Sequence, residues 1–455
     1  MEACQAVGSE LKKVWFIYFT DLNIPHMDGE FLFHHPIGYC RESCDITLYA
    51  MRSCGIPVTT DFFRYSPEYQ HYHSWNALRD TTGRFILFDP KGVPPTRKTV
   101  TTDDRKKGKV YRYYFGEQNL PTSVAHAKKA QISSFFRNPY IKDVTAEYFG
   151  ENRVTVPIQR ADKYIYLGVF SPRGWIPVDV VESNGDEATF HNLEPNISYQ
   201  TLVLEGGKQY PAGYPFIFKD GKAELLVPDE TNREQAVLKR KMSIKPTISE
   251  WLYRSTLGAR IEAANEPSFS RVDLLYEFKD TLTTNYYELN SLHPHQKYRY
   301  IRYSPPRGAR IELAELAFYE DSLMQKKLSL DTVTAIEPID RLKNITDGQI
   351  LTYFQAKDTT SSIIYKIEKA AAISKIVFSP RNDDNYIWPG DRYELFYHNG
   401  IYGWQSLGTQ TAEGRKISYS VPKNSLLWLR NRTKGREEQV FIYRNGKQYF
   451  TIDIR

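Results

Sequence analysis

At 455 residues, with 41% hydrophobic and 25% charged side chains, the chain has a globular composition, which excludes disorder, collagen and coiled coil as its main state. At roughly 100–200 residues per domain, that length points to about three domains. The formal net charge of +6, from 60 basic and 54 acidic residues, is too weak a field for a nucleic-acid footprint. No window of about 18 apolar residues occurs, so no membrane span is expected. The 33 Tyr, 24 Phe and seven Trp favour half-buried strands whose side chains keep a polar tip in water.

Met1 leads directly into Ala3, Val7, Leu11 and Val14, a helical stripe beside Lys12 and Lys13. That is folded-domain sequence rather than a leader, so the chain reads either as cytosolic or as a clipped form of an exported protein. All four cysteines (Cys4, Cys40, Cys44 and Cys54) fall in the first 54 residues, too few and too clustered for a disulfide framework. Cys44, Leu48 and Met51, with Gly55 at the stop and Pro57 beyond, predict a helix from Cys40 to Cys54. Short β-prone runs follow at Val58 to Tyr65, His73 to Arg79 and Arg84 to Phe88, which makes residues 1–135 an α+β domain. The basic runs Arg105 to Lys109 and Lys239 to Lys241 read as solvated loops. Roughly seven short strands between 140 and 230 predict a β-sandwich. The charged stretch 231 to 245 reads as a linker, and the remainder, 246–322 and 325–455, is again strand-rich.

The chemistry concentrates between His35 and Gly92. Cys40 stands at the entry to the predicted helix, where the helix dipole and unpaired N–H groups would lower a thiol pKa. His73 begins one strand and Asp89 ends the next, positions that antiparallel pairing would bring side by side, so Cys40, His73 and Asp89 are candidates for thiol acyl transfer. Cys44 and Cys54 read as core thiols. A rival arrangement draws on Cys40, Cys44, His71 and His73 as a Cys2His2 zinc site, which leaves Asp89 and Trp75 without a role.

Four motifs in order, Gly38-Tyr39-Cys40-Arg41-Glu42, Met51-Arg52-Ser53-Cys54-Gly55-Ile56-Pro57, His73-Ser74-Trp75-Asn76 and Phe88-Asp89-Pro90, resemble the core of the transglutaminase-like superfamily of papain-type thiol enzymes. Met51 and Val58 stand where the family usually has Leu and Ala. The resemblance covers about residues 1 to 130. It implies Cys40 as nucleophile, His73 as general base and acid, and Asp89 as the residue that orients His73. Fewer residues precede Cys40 than in family members with further modules, which supports the clipped-form reading.

Residues beyond about 246 more loosely resemble the galactose-binding, discoidin-like jelly rolls that accompany bacterial proteins of this kind. The carriers are Tyr298 to Tyr303, Ala314 to Tyr319, Asp347-Gly348 with Tyr353-Phe354, and Pro380 to Asn385. Such modules bind sugars or serve as scaffolds. Asp383, Asp384 and Asn385 form an oxygen-rich loop that could hold calcium, although a turn built on Asx side chains is the commoner outcome of that pattern. The expectation is therefore a multidomain thiol enzyme without a cofactor, a papain-like α+β domain followed by sandwich and jelly-roll modules. It would act on a peptide, glycopeptide or cell-wall substrate through a thioester, as a hydrolase rather than a cross-linker, and would be exported in full-length form. The alternative is a glycan- or surface-binding protein with an inactive thiol domain.

Overall fold

The computed structural model describes the chain except residues 20–24, 26, 90–91, 99–102, 126, 128–131, 335, 436, 451–452 and 454–455. Antiparallel sheets dominate, as the strand-period segments predict. The chain divides into two units. The first holds residues 1–243, 391–411 and 418–455; the second holds 244–390 and 412–417.

The first unit opens with helices packed on a five-stranded antiparallel sheet, in the order Phe85–Phe88, His73–Arg79, Val58–Phe63, Tyr111–Tyr113 and Ile141–Asp143. Helix Cys40–Ser53 lies on one face, where Met51, Val58, Leu78, Ile86 and Phe88 close a core with Cys4 of helix Glu2–Leu11. The opposite face buries Phe63, Trp75, Ala77 and Leu87 against Val110 and Val144. This split follows from the period of two along a strand, which sends odd and even residues to opposite faces.

Residues 153–225 form paired antiparallel sheets around Val154, Ile165, Leu167, Phe190, Tyr199 and Phe216, in keeping with the sandwich expectation. A further five-stranded sheet from residues 392–450 packs on them through Trp428, Val440 and Ile442, with Trp428 5.3 Å from Phe170 and the Trp404 ring stacked near that of Trp175. The linker expected at 231 to 245 is largely a strand instead. Asp229–Leu238 pairs with Ile417–Lys423, and its charged side chains point to solvent on both faces, so alternation marks only Ala236 to Leu238.

The second unit is one sandwich. Sheet Asp273–Glu277, Arg260–Ala264, Lys297–Ser304, Ile363–Ala372 and Leu330–Thr332 shares a core with sheet Tyr287–Asn290, Lys375–Pro380, Glu312–Tyr319 and Phe354–Gln355. The expected division between 246–322 and 325–455 is corrected here. Strands from both sides of it pair within each sheet, Tyr303 with Ile363 and Phe318 with Ile376, so neither segment can bury its apolar face alone. Residues 391–411 and 418–455 belong to the first unit. No helix among the described residues is long and apolar enough to cross a membrane.

Candidate active site

Helix Cys40–Ser53 starts at a turn that only glycine accommodates. Gly38 has φ +147°, and a Cβ there would stand 2.5 Å from the Glu42 side chain. The Glu42 carboxylate accepts the Tyr39 N–H at 2.9 Å, satisfying a donor that the first turn leaves unpaired. At the other end Gly55 (φ +73°) reverses the chain and the Ile56 N–H reaches the Met51 carbonyl at 3.0 Å, the closing bond the Gly-Ile-Pro sequence foretells. Asn76 then pins the helix to the sheet, its amide donating to the Cys44 carbonyl at 3.1 Å.

Cys40 lies at the first position of this helix and is 6% exposed. Its sulfur sits against the backbone N–H groups of Ser74 and Arg41. The expected lowering of the thiol pKa is overturned. Burial pushes Cys40 up to about 12, outweighing the Ser74 N–H, the Arg105 charge and the Arg41 N–H, which all act the other way. Cys44 is buried as expected, and burial raises its thiol well above the ordinary range, with Cys40 and Asp89 adding to the shift. Cys54 is exposed at the helix C-cap, so the core reading fails for it; the last turn has rotated it to solvent.

His73 pairs with Phe63 at the first position of strand His73–Arg79. Its ring packs with Phe63 and Trp75, at 6.1 and 5.9 Å between centroids, on the face away from helix Cys40–Ser53. Nε2 is 3.4 Å from Oδ2 of Asp103, and the same oxygen is 3.1 Å from Nε of Arg105. Burial and the Arg105 charge bring His73 down to about 4, against the opposing pull of Asp103. Arg105 thus acts on both groups, lowering the Cys40 thiol and the His73 imidazole together.

Asp89 does not reach His73. Pairing of the two strands stops at Asn76 with Phe88, so Asp89 leaves the sheet before it comes level with His73. Its N–H bonds the Val93 carbonyl at 2.7 Å, and its charge is felt by Tyr18 and Cys44 on the helix side. Pro90 of the same motif lies outside the described residues. The carboxylate beside the imidazole is Asp103, which the sequence reading missed. The signal was Asp103-Asp104 directly before Arg105-Lys106-Lys107, an acidic pair able to neutralise the basic run it precedes.

That run is not a solvated loop. Lys107 and Lys109 are each 2% exposed. The Lys109 ammonium pairs with Asp143 at 2.5 Å and Asp179 at 3.0 Å, and Lys107 reaches Asp103 at 3.2 Å. Glu68 accepts the Lys106 N–H at 2.9 Å, and buried Glu194 accepts the N–H groups of Lys107 and Gly108 at 2.5 and 2.9 Å. Counter-charges remote in sequence therefore fix the segment that carries Asp103 and Arg105. The second run is enclosed in part: Lys239 is exposed as expected, but Arg240 and Lys241 are buried, and Arg240 donates to the Met242 and Ser243 carbonyls.

Behind Trp75 a polar chain secures the far face of the sheet. The indole N–H donates to Tyr148 Oη at 2.8 Å, and that hydroxyl donates to Asp61 at 2.6 Å. Asp61 receives Arg112 through Nε and Nη2 at 2.7 and 2.8 Å, and both residues are fully buried. On the other side of Cys40 the Tyr39 ring meets His71 and Tyr72 at 6.0 and 5.3 Å, and Arg105 lies over Tyr69.

The zinc arrangement does not form. His71 Nδ1 is 2.8 Å from the Tyr72 carbonyl and His73 faces Asp103, while among the described residues no three His, Cys, Asp or Glu side chains gather as a metal site. The calcium candidates follow the turn reading. Asp383 accepts the Asn385 N–H at 3.3 Å, Asp384 accepts the Trp388 indole N–H, and the Asp384 N–H bonds Asn382 Oδ1 at 2.9 Å.

No protein-family model and no curated protein matches the chain.

Proposed function

We propose that the first unit is a transglutaminase-like, papain-type thiol enzyme that cleaves a peptide or carboxamide bond through a thioester at Cys40. The observation that carries this reading is the sulfur at the first position of helix Cys40–Ser53 with the Ser74 and Arg41 N–H groups against it, one residue along the strand from His73. Two backbone donors at the nucleophile suit the negative charge that develops on sulfur and on the carbonyl oxygen it attacks. In the reaction, His73 takes the Cys40 proton as the sulfur adds to the carbonyl carbon. The tetrahedral adduct expels the amine, which leaves with that proton. Water, deprotonated by His73, then cleaves the thioester and restores the thiol.

Both groups rest neutral, so thiolate forms only as substrate accepts the sulfur. The imidazole must first turn from Asp103 toward Cys40, and Asp103 replaces Asp89 as the residue that positions it. Hydrolysis is preferred to cross-linking, and the substrate class is peptide, glycopeptide or cell-wall fragment, met outside the cell. The second reading, a glycan- or surface-binding protein with an inactive thiol domain, draws on the observation that His73 is held on the far face by Asp103 and Arg105.

Turnover of a panel of peptides, glycopeptides and peptidoglycan fragments tests the choice, with acid-quenched intact mass to trap an acyl adduct. Cys40→Ala is expected to abolish both turnover and adduct. Asp103→Asn is expected to lower kcat and shift the acid limb of the pH profile, whereas Asp89→Asn leaves that limb in place. Full turnover by Cys40→Ala overturns the enzyme reading, and a pH profile moved by Asp89→Asn but not by Asp103→Asn overturns the assignment of the positioning residue.

A further inference from the structure

The second unit holds a cleft of about 510 Å³, within the usual span of roughly 300–1,000 Å³ for small-ligand sites. One wall is the π-helical turn Glu250–Arg254, which contributes Trp251 and Arg254; the loop at 307–310 contributes Arg307 and Arg310. A π-turn widens the helix and re-aims its side chains, and such turns recur at functional sites. The buried carboxylate of Glu312 and the amide of Gln355, 2.7 Å apart, also line the cleft.

The aromatic wall is locked in place. Arg381 lies 3.8 Å from the ring centroids of both Trp251 and Tyr353, and its Nη1 is 3.1 Å from Glu312. The other three guanidiniums differ. Arg254, Arg307 and Arg310 are exposed, and among the described residues none of them forms an ion pair or a side-chain hydrogen bond. The remaining carboxylate of the lining, Glu250, is exposed and cannot balance three cations. Like charges gathered on a concave surface call for an anion, and forked guanidinium donors match a carboxylate. An indole, a buried carboxylate and an amide beside them suit a hydroxyl-rich ring rather than a lipid chain.

We propose that this cleft binds an acidic oligosaccharide, one whose sugar rings carry carboxylates, through Arg254, Arg307 and Arg310 with Trp251 as the ring platform. The proposal rests on the glycan-binding part of the second reading, which it deepens, and holds whether or not Cys40 is active.

Calorimetry on the full chain tests it with galacturonate oligosaccharides, their methyl esters, neutral galactose oligomers and a polyglutamate peptide, at low and physiological salt. The acidic sugar is expected to bind, to weaken as salt rises, and to lose about tenfold or more on esterification or in the Arg254→Ala/Arg307→Ala/Arg310→Ala variant, as loss of charge-assisted hydrogen bonds requires. The corresponding triple Lys variant, which keeps charge without the fork, is expected to fall between and serves as the measure if the Ala variant melts early. Equal binding of acidic and neutral sugars that also survives in the variants overturns this site and leaves the glycan-binding reading standing. Absence of binding to any saccharide overturns both, and polyglutamate binding as tightly as the sugar overturns the saccharide assignment.

Discussion

Asp61→Leu is expected to destabilise the first unit by about 3 kcal/mol. Asp61 and Arg112 are fully buried and joined by two hydrogen bonds at 2.7 and 2.8 Å. Removing one member of such a pair costs about 3–5 kcal/mol, because the partner stays buried with its charge uncompensated. Arg112 keeps Glu147 at 2.9 Å, but that side chain is 47% exposed, so the lower end of the range applies. Asp61→Leu/Arg112→Leu removes both charges and is expected to lose only about 1–2 kcal/mol, chiefly the acceptor of the Tyr148 hydroxyl and imperfect packing over Phe85. Urea unfolding followed by tryptophan fluorescence reads both values, with Trp75 reporting directly on the chain of hydrogen bonds it shares with Tyr148 and Asp61. A single-variant loss below about 1 kcal/mol, or a double variant no more stable than the single, would refute the view that the unpaired guanidinium dominates the cost.

Two further outcomes concern pH. Burial raises the Glu68 carboxyl from 4.5 to about 7, so the folded state binds more protons than the unfolded state in that window and stability falls as pH rises through it. Glu68→Gln should therefore gain about 2–3 kcal/mol on wild type between pH 5 and pH 8 in urea titrations, and an unchanged difference would remove Glu68 from the account. His398 has the opposite sign. It is fully buried against Trp175 and Trp404, its ring nitrogens make no hydrogen bond among the described residues, and burial lowers it to about 3. Its contribution is complete above about pH 6.5 and is lost as pH falls toward 3, at most about 4 kcal/mol, so His398→Phe should flatten the acid side of the stability curve. An acid limb as steep as in wild type would contradict this.

What the sequence disclosed was local. The helix from Cys40 with its stop at Gly55 needs only a stripe, a glycine and a proline within 18 residues, and the structure has it. Strand Asp229–Leu238 escaped notice because its first seven residues are largely wet on both faces, and only Ala236 to Leu238 alternate. The run at Lys107 and Lys109 read as solvated because its counter-charges, Asp143, Asp179 and Glu194, come from strands and loops that only the fold brings near. The boundary at 322 failed for the same reason, since pairing such as Phe318 with Ile376 spans it.

The sidedness of the site shows the same limit more sharply. The spacing of His73 and Trp75 places both on one face of their strand, because side chains alternate with a period of two. Trp75 is committed to the face of Tyr148 and Asp61 by its indole hydrogen bond, and Asn76 is committed to the helix face by its bond to Cys44. His73 therefore starts on the side opposite Cys40, although the Ser74 N–H beside it touches the sulfur. As the first residue of its strand, paired with Phe63, His73 is held on that side by Asp103, itself tied to Arg105 and Lys107. Under the thiol-enzyme reading, Asp103 then has two effects of opposite sign: it holds the neutral imidazole away from Cys40 and favours the imidazolium once a proton has moved. Asp103→Asn removes both at once, and the expected fall in kcat means that the lost support of the imidazolium outweighs the easier approach of His73; a rise in kcat would refute that order.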